Sequence, residues 1–494
     1  MNGRGTGRRK ARGQDGPRWR PCALAAIALA LLTGCGSVAP GTPASPAAAA
    51  SPSAPPIASP SSATALPEPI ATPTTVPTSG PTVAMGGGDG IAIARSSVPR
   101  SVTTPEEATN AAAAVDAFGI ELFRRVATGS GNLVVSPASI ALALAMARAG
   151  ARGETAAQMD AVLHGFGSDA HALGVAALDE SLAALDHVYD SYPANNGQVP
   201  EVALQVANAP FAQQGMPLEP AYLDALASRF DAGLRLVDFR TDPDGARQLV
   251  NAWVKAQTKG RIPELLGPPA ITNLTRLVLV NTIYLKAPWL VPFDEQATAD
   301  EPFTRADGSS ASVPTMSQRS EYGYAAGRGW WAVELPYLGT LALTIIMPDD
   351  LPAFTAGLTA TELARIMTAT ATLRPFDLHV PRFGIDTGPL DLSEALSAMG
   401  MPLAFDQQRA DFSGITAAER LFISNVVHQA NIDVDEKGTE AAAATAVTMA
   451  TGGPGYQGPW PELRVDRPFL FALHDRSTGA VLFLGRVTDP SRRS

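Results

Sequence analysis

The stretch from Gly438 to Met449 constrains what these 494 residues can fold into more than any other. Four alanines, Ala441 to Ala444, follow Thr439-Glu440. Alanine has the best helix propensity, so by itself the run reads as an Ala-rich helix start or a low-complexity linker. Read as a strand, with side chains alternating at period two, one face carries Thr439, Ala441, Ala443, Thr445, Val447 and Met449 and no charge. Glu440 falls on the other face. Such a strand can slide between two others under a packed layer without burying a charge. Gly438 ahead of it tolerates nearly any backbone dihedral, as a hinge requires. Behind it, Ala450–Pro461 is too rich in Gly and Pro for a helix or a central strand and reads as an exposed loop open to proteases. A segment fit for helix or strand, feeding an exposed loop, is the sequence of a bistable element.

The chain opens with Arg4, Arg8, Arg9, Lys10, Arg12, Arg18 and Arg20, then the short apolar run Cys22–Leu32. This is the pattern of an export signal, too short to span a bilayer comfortably. Its end, Leu32-Thr33-Gly34-Cys35, resembles a bacterial lipobox, which makes Cys35 the expected lipidated N-terminus and residues 1–34 the signal peptide. Cys22 and Cys35 are the only cysteines, so the mature chain is expected to hold no disulfide. Removing residues 1–34, which carry +6, takes the formal charge from −10 to −16. No basic stripe remains to bind nucleic acid. Residues 35–104 are Pro, Ala, Ser and Thr with few large apolar groups, the composition of a disordered tether. The globular domain is expected over 105–494.

Within it, Ala112, Val115, Phe118, Leu122 and Val126 recur at helical spacing. Leu133–Val135 is a short apolar strand broken by Ser136-Pro137 into a helix. Leu277–Lys286 has the continuous apolar character of a buried strand. Trp330–Tyr337 with Leu341–Pro348, and Pro468–His474 with Ala480–Val487, read as hairpins. The six histidines show no metal-ligand spacing, and there is no G-x-S-x-G elbow. Asp433-Val434-Asp435 starts like a calcium loop, but Lys437 and Ala444 stand at its fifth and twelfth positions, where oxygen ligands are required. No catalytic residue, metal or cofactor is expected.

Glu436–Val447 resembles the hinge of the reactive-centre loop of inhibitory serpins, and Val465-Asp466-Arg467-Pro468-Phe469-Leu470-Phe471 resembles the signature that follows that loop. Further likenesses run in family order from Asn132-Leu133 through Asn251-Ala252-Trp253, Leu277–Trp289 and Asp411-Phe412-Ser413-Gly414 to Asn425–Ala430. The resemblance implies an α+β serpin fold: a large mixed central β-sheet, flanking helices and an exposed reactive-centre loop near the C-terminus. It implies a serine protease inhibitor and not an enzyme, forming a covalent complex with its target as a monomer. The hinge would be Glu436, Lys437, Gly438, Thr439, Glu440, Ala441, Ala442, Ala443 and Ala444. Scissile-bond positions fall among Met449, Thr451, Gly452 and Gly453, whose small uncharged side chains point to an elastase-like or subtilisin-like target. Trp289 would stand where the loop enters the sheet. Ser136, Ser139, Asn281 and His428 would form a polar cluster where the sheet opens, although a lone histidine in an apolar strand also reads as a satisfied core residue. Glu436 to Pro468 spans 32 positions, several more than the family pattern, so the scissile register stays open. A non-inhibitory serpin-fold binding protein on the cell surface is the alternative. An unrelated lipoprotein adhesin is a third, and would leave the C-terminal motifs unexplained. The expected location is extracytoplasmic, lipid-anchored or secreted.

Overall fold

Thr104 starts the first helix: its hydroxyl accepts from the Glu107 N–H while the Glu107 side chain accepts from the Thr104 N–H, a capping box. Glu106 and Glu107 in the first turn and Arg124 and Arg125 in the last complement the helix dipole. This is helix α1 (Pro105–Val126), which carries the expected apolar stripe. The computed structural model describes residues 82–85, 90–189, 201–439, 456 and 458–492, all within one unit that runs from Val76 to the C-terminus.

In chain order come strands β1 (Thr82–Met85) and β2 (Ala92–Arg95), α1, β3 (Leu133–Val135), and helices α2 (Pro137–Gly150), α3 (Gly153–Val162) and α4 (Ala172–Ala183). Strands β4 (His187–Val188) and β5 (Glu201–Gln213) precede α5 (Pro220–Phe230), β6 (Leu234–Val237) and α6 (Pro243–Gln257). Five strands follow: β7 (Leu277–Pro288), β8 (Ala299–Thr304), β9 (Ser310–Gly327), β10 (Trp330–Pro336) and β11 (Leu341–Pro348). Next are α7 (Leu351–Gly357), α8 (Ala360–Ala369), β12 (Leu373–Pro381), β13 (Phe383–Asp386), β14 (Leu390–Asp391) and α9 (Ser393–Met399). The chain closes with β15 (Asn425–Asp435), β16 (Gly438–Thr439), β17 (Glu462–Arg464), β18 (Phe469–Asp475) and β19 (Val481–Val487).

These strands make two sheets. The ten-stranded sheet has the order β1-β2-β6-β5-β7-β16-β15-β13, with β4 on β5 and β14 on β15. It is mixed: β5–β7 is antiparallel over ten residue pairs, while β7–β15 is parallel from Val278↔Asn425 to Ile283↔Ala430. The nine-stranded sheet has the order β17-β12-β9-β10-β11-β18-β19-β3, with β8 on β9. The expected α+β architecture is therefore present, and both predicted hairpins, β10–β11 and β18–β19, pair as read.

Strand parity explains how the first sheet is covered on both faces. In β7, Leu277, Leu279, Ile283 and Leu285 face the core that holds α1 and α2, whereas Val278 and Val280 face α6 with Val250, Trp253 and Val254. A strand buried on both sides is apolar on both faces, which is why Leu277–Val280 shows no alternation; Asn281 and Thr282 are the buried polar exceptions. Every residue of α2 is buried, and the helix contacts β5 and β7 of one sheet and β19 of the other.

One boundary is corrected. Composition runs the tether to residue 104, but Ala92–Arg95 pairs with β6 and continues the main sheet outward, with β1 paired beyond it. Ile91 and Ala94 are buried there, and Gly233 opposite is so close that a Cβ would lie 2.7 Å from Ile93 and 2.8 Å from the Ala94 carbonyl. Short side chains look like tether composition, yet they are what a close strand contact needs.

Candidate functional site

β7 and β15 are adjacent and parallel as far as Ile283 and Ala430, then part. Into the opening between them comes β16, antiparallel to both: Thr439 faces Ala287 on one side and Val434 on the other, and Gly438 faces Pro288 and Asp435. Gly438 and Thr439, which the resemblance places in a hinge, thus form a two-residue strand inside the main sheet. Gly438 adopts φ 147°, and a Cβ would sit 2.1 Å from the Ala287 carbonyl oxygen, so both its backbone and its space require glycine.

The turn leading into β16 is tied down at each residue. The Asp435 carboxylate accepts from the backbone N–H of Lys437 at 2.8 Å and of Gly438 at 3.3 Å. Burial raises the Asp435 carboxyl above the ordinary range, while those two N–H groups pull it back. The group that resembled a calcium ligand is thus occupied in closing a turn. Glu436 is buried and takes charge-assisted bonds from Arg382, with Nε at 2.6 Å, and a hydroxyl bond from Thr298. Lys437 reaches Glu295 at 3.2 Å.

Trp289 stands beside this turn, as the resemblance implies. Its indole N–H donates to the Asp435 carbonyl at 2.8 Å, and its backbone N–H donates to the Lys437 carbonyl at 2.9 Å. Its ring stacks on Tyr337, with centroids 4.1 Å apart and planes at 12°. The Tyr337 hydroxyl bonds the Thr439 hydroxyl at 2.6 Å. Burial raises the Tyr337 pKa, so the phenol stays neutral. Thr439, the first residue of the uncharged face, is 1% exposed.

Further back along β7, at Asn281, lies the polar cluster. Asn208 on β5, Asn281 on β7 and His428 on β15 fall in one row, paired Asn208↔Asn281 and Asn281↔His428. The Asn281 amide donates to the Ser139 hydroxyl at 2.6 Å and to Asn208 Oδ1 at 2.7 Å. Its oxygen accepts from His428 Nδ1. His428 Nε2 accepts from the Ser136 backbone N–H at 3.1 Å, which fixes the proton on Nδ1. Burial pushes the His428 pKa down to about 3, so the ring is neutral. Ser136 caps α2 by accepting from the Ser139 N–H. The network binds three strands to the N-terminus of the central helix without an apolar contact among its members.

The structure brings together Ser136, Ser139, Asn281 and His428, and brings Glu436, Lys437, Gly438 and Thr439 to Trp289. Glu440, Ala441, Ala442, Ala443 and Ala444, the scissile-bond region at Met449, Thr451, Gly452 and Gly453, and Cys35 lie outside the described residues. Sequence reading missed Asn208, Tyr337, Arg382 and Thr298. Asn208 carried a signal, a carboxamide in the apolar strand Val206-Ala207-Asn208-Ala209, where an unbonded polar group is costly. Among the described residues, no group of three or more His, Cys, Asp and Glu side chains is placed to hold a metal ion, and no helix is long and apolar enough to cross a membrane.

Residues 113–490 match the sequence model of the family described as "Serpin (serine protease inhibitor)". A curated relative, the leukocyte elastase inhibitor of Bos taurus, is 36% identical over 386 residues, which is 76% of this chain and 97% of the relative. The native thermophilic serpin tengpin superposes with a TM-score of 0.66 at 24% identity, covering 79% of this chain and 96% of its own, a likeness of fold. Thyroxine-binding globulin in complex with thyroxine superposes with a TM-score of 0.63 at 27% identity, covering 76% and 99%.

Proposed function

This chain belongs to the serpin family, and from that premise we propose that it inhibits a serine protease as a suicide substrate, presenting the residues after Thr439 as bait. The target's serine oxygen attacks a carbonyl among Met449 to Gly453, the peptide C–N bond breaks, and the departing amine takes the proton. The protease remains as an ester on the new C-terminus. The freed hinge then adds to the sheet as a further strand between β7 and β15 and carries the bound enzyme away before water completes the hydrolysis. From Glu436 to Gly452 is sixteen steps, roughly 53 Å of extended chain at ~3.3 Å each, enough to cross a domain of this size.

The observation that carries this reading is β16, a strand of hinge residues paired on both edges at the mouth of the opening. The small uncharged residues around the candidate bond favour an elastase-like or subtilisin-like target, in the same direction as the elastase inhibitors among the relatives. Incubation with a panel of such proteases tests it. The expected result is a complex that survives SDS, with the bond read from the mass of the released C-terminal fragment; clean turnover of the loop without a complex by every protease would overturn the inhibitory reading. A binding protein of the same fold is the second reading, favoured by the likeness to the thyroxine complex.

The lipobox-like Leu32-Thr33-Gly34-Cys35 supports a lipid-anchored, extracytoplasmic protein, with the Pro/Ala/Ser/Thr segment as its tether. A fatty-acid analogue should label the wild-type chain and not Cys35→Ala. No label on the wild type would remove the anchor from the proposal.

A further inference from the structure

Tyr337 serves the hinge twice, by stacking on Trp289 and by bonding the Thr439 hydroxyl, so the turn that carries it has to be held still. Backbone bonds tie most of that turn. The Tyr337 N–H donates to the Leu341 carbonyl at 3.0 Å, the Leu338 N–H to the Pro288 carbonyl at 3.0 Å, and the Arg476 N–H to the Thr340 carbonyl at 2.8 Å. The Thr340 hydroxyl donates to the Asp475 carboxylate. Gly339, at the tip, has a φ of 79° and brings no side chain to pack.

Tyr189 fills that gap from a distant part of the chain. A Cβ on Gly339 would overlap the Tyr189 hydroxyl oxygen and lie 3.2 Å from its Cζ, so the phenol tip occupies the place a side chain would take. The Tyr189 ring is half-buried against the main core and meets His187 edge-on, with centroids 4.9 Å apart and planes at 89°. Tyr189 directly follows β4, whose two residues pair with the start of β5, His187↔Val202 and Val188↔Glu201. Next along, β5 meets the end of β7 at Ala203↔Lys286, and Lys286 Nζ bonds Glu201 at 2.8 Å. β7 then runs into Pro288 and Trp289, which hold the turn. The contacts close a ring: Tyr189, β4, β5, β7, Trp289, Tyr337, Gly339 and back to Tyr189. β16 pairs with the other edge of that same end of β7, at Ala287 and Pro288.

We propose that Tyr189 is a positioning residue for loop insertion: wedged against Gly339, it holds the turn, and through it the Tyr337 hydroxyl, where Thr439 must sit for the strand to grow in register. The proposal rests on the inhibitory reading and deepens it. Register matters because a slip of one residue exchanges the uncharged face of the hinge for the one that carries Glu440. A tyrosine suits the task, since it offers a large rigid surface at low cost in side-chain freedom.

Hydrogen exchange on the uncut full chain is the first test, and it needs no protease. Tyr189→Ala should speed exchange of the Thr439 amide roughly tenfold, while amides of β18 and β19 keep their wild-type rates. Tyr189→Phe keeps the ring and should stay within about twofold of the wild type. With a protease that the wild type traps, Tyr189→Ala should raise the stoichiometry of inhibition severalfold at an unchanged rate of loop cleavage. Wild-type exchange at Thr439 or an unchanged stoichiometry in Tyr189→Ala would overturn the proposal. So would faster exchange spread evenly over β18 and β19, which would show a merely structural role. Failure to trap any protease would count against the inhibitory reading, while exchange at Thr439 would still decide the role of Tyr189.

Discussion

A methyl group at Gly438 has nowhere to go, because carbonyl and Cα atoms of Ala287 and Pro288 occupy its place. Gly438→Ala should cost about 1–3 kcal/mol in backbone strain alone and expel β16 from the sheet. A lowered thermal midpoint, with faster amide exchange at Thr439, is the expected result; exchange as slow as in the wild type would mean that the strand accommodates the methyl. Buried titrating groups set a second test. Asp116, buried in α1 and accepting from the Val481 N–H, has its pKa raised to about 7 by desolvation. A carboxyl raised in the folded state stabilises below its unfolded value near 3.8, and that stability is lost as pH climbs through about 7. His428, lowered to about 3, has the opposite slope: its stability is full above its unfolded value of 6.5 and drains away as pH falls through about 3. Between about pH 4 and 6.5 the two partly offset. Asp116→Asn keeps the acceptor and cannot ionise. Thermal midpoints should match the wild type at pH 4 and exceed it at pH 8, by on the order of 4 kcal/mol of stability. At this scale His428 and Asn281 were legible only through the family resemblance, since a lone polar residue in an apolar strand also reads as a satisfied core residue. Tyr337 and Arg382 were not, because they meet the hinge only through the fold, 102 and 54 residues away in sequence.

Among elements, the long ones were legible because each carries a sustained pattern: the helical apolar stripe of α1, the apolar and β-branched run of β7, the paired hairpins of the second sheet. β2 was not. Four residues of which two are alanine give no period, and neighbouring Gly, Ser and Pro favour a loop. Its place is set by what it touches: β6 along its edge, Gly233 by close approach, and beyond it Ser96 with Asp224 at 2.5 Å and Arg100 with Asp179 at 2.5 Å. Removing residues 1–81 leaves β1, β2 and the contacts named above in place, and its thermal midpoint is the reference for the next truncation. Removing residues 1–95 strips a paired strand and buried Ile91 and Ala94, and should lower it by several degrees, roughly 2–3 kcal/mol for a side chain and its neighbours. Equal midpoints for the two truncations would show β2 to be an ornament of the edge.

For the molecule as a whole, the proposed mechanism demands a native state that is held, not lowest in energy. Cutting the loop near Thr451 should then raise the thermal midpoint, the reverse of what a broken chain usually does. Each new strand residue adds hydrogen bonds worth ~0.5–1.5 kcal/mol net, and about ten of them rival the ~5–15 kcal/mol of an ordinary domain. Scanning calorimetry of intact and nicked chains decides it; an equal or lower midpoint after the cut would favour the binding-protein reading. The two residues of β16 bear on the speed of that change. Ordered chains are slow to nucleate and quick to propagate, because the first contacts fix many dihedrals for little return. Here the nucleus already exists in the uncut molecule, with Thr439 seated between Ala287 and Val434. A loop released by cleavage would only have to elongate, prising β7 from β15 pair by pair towards Val278 and Asn425. Each step exchanges one strand contact for two. The race against deacylation would then start with its slowest step already behind it.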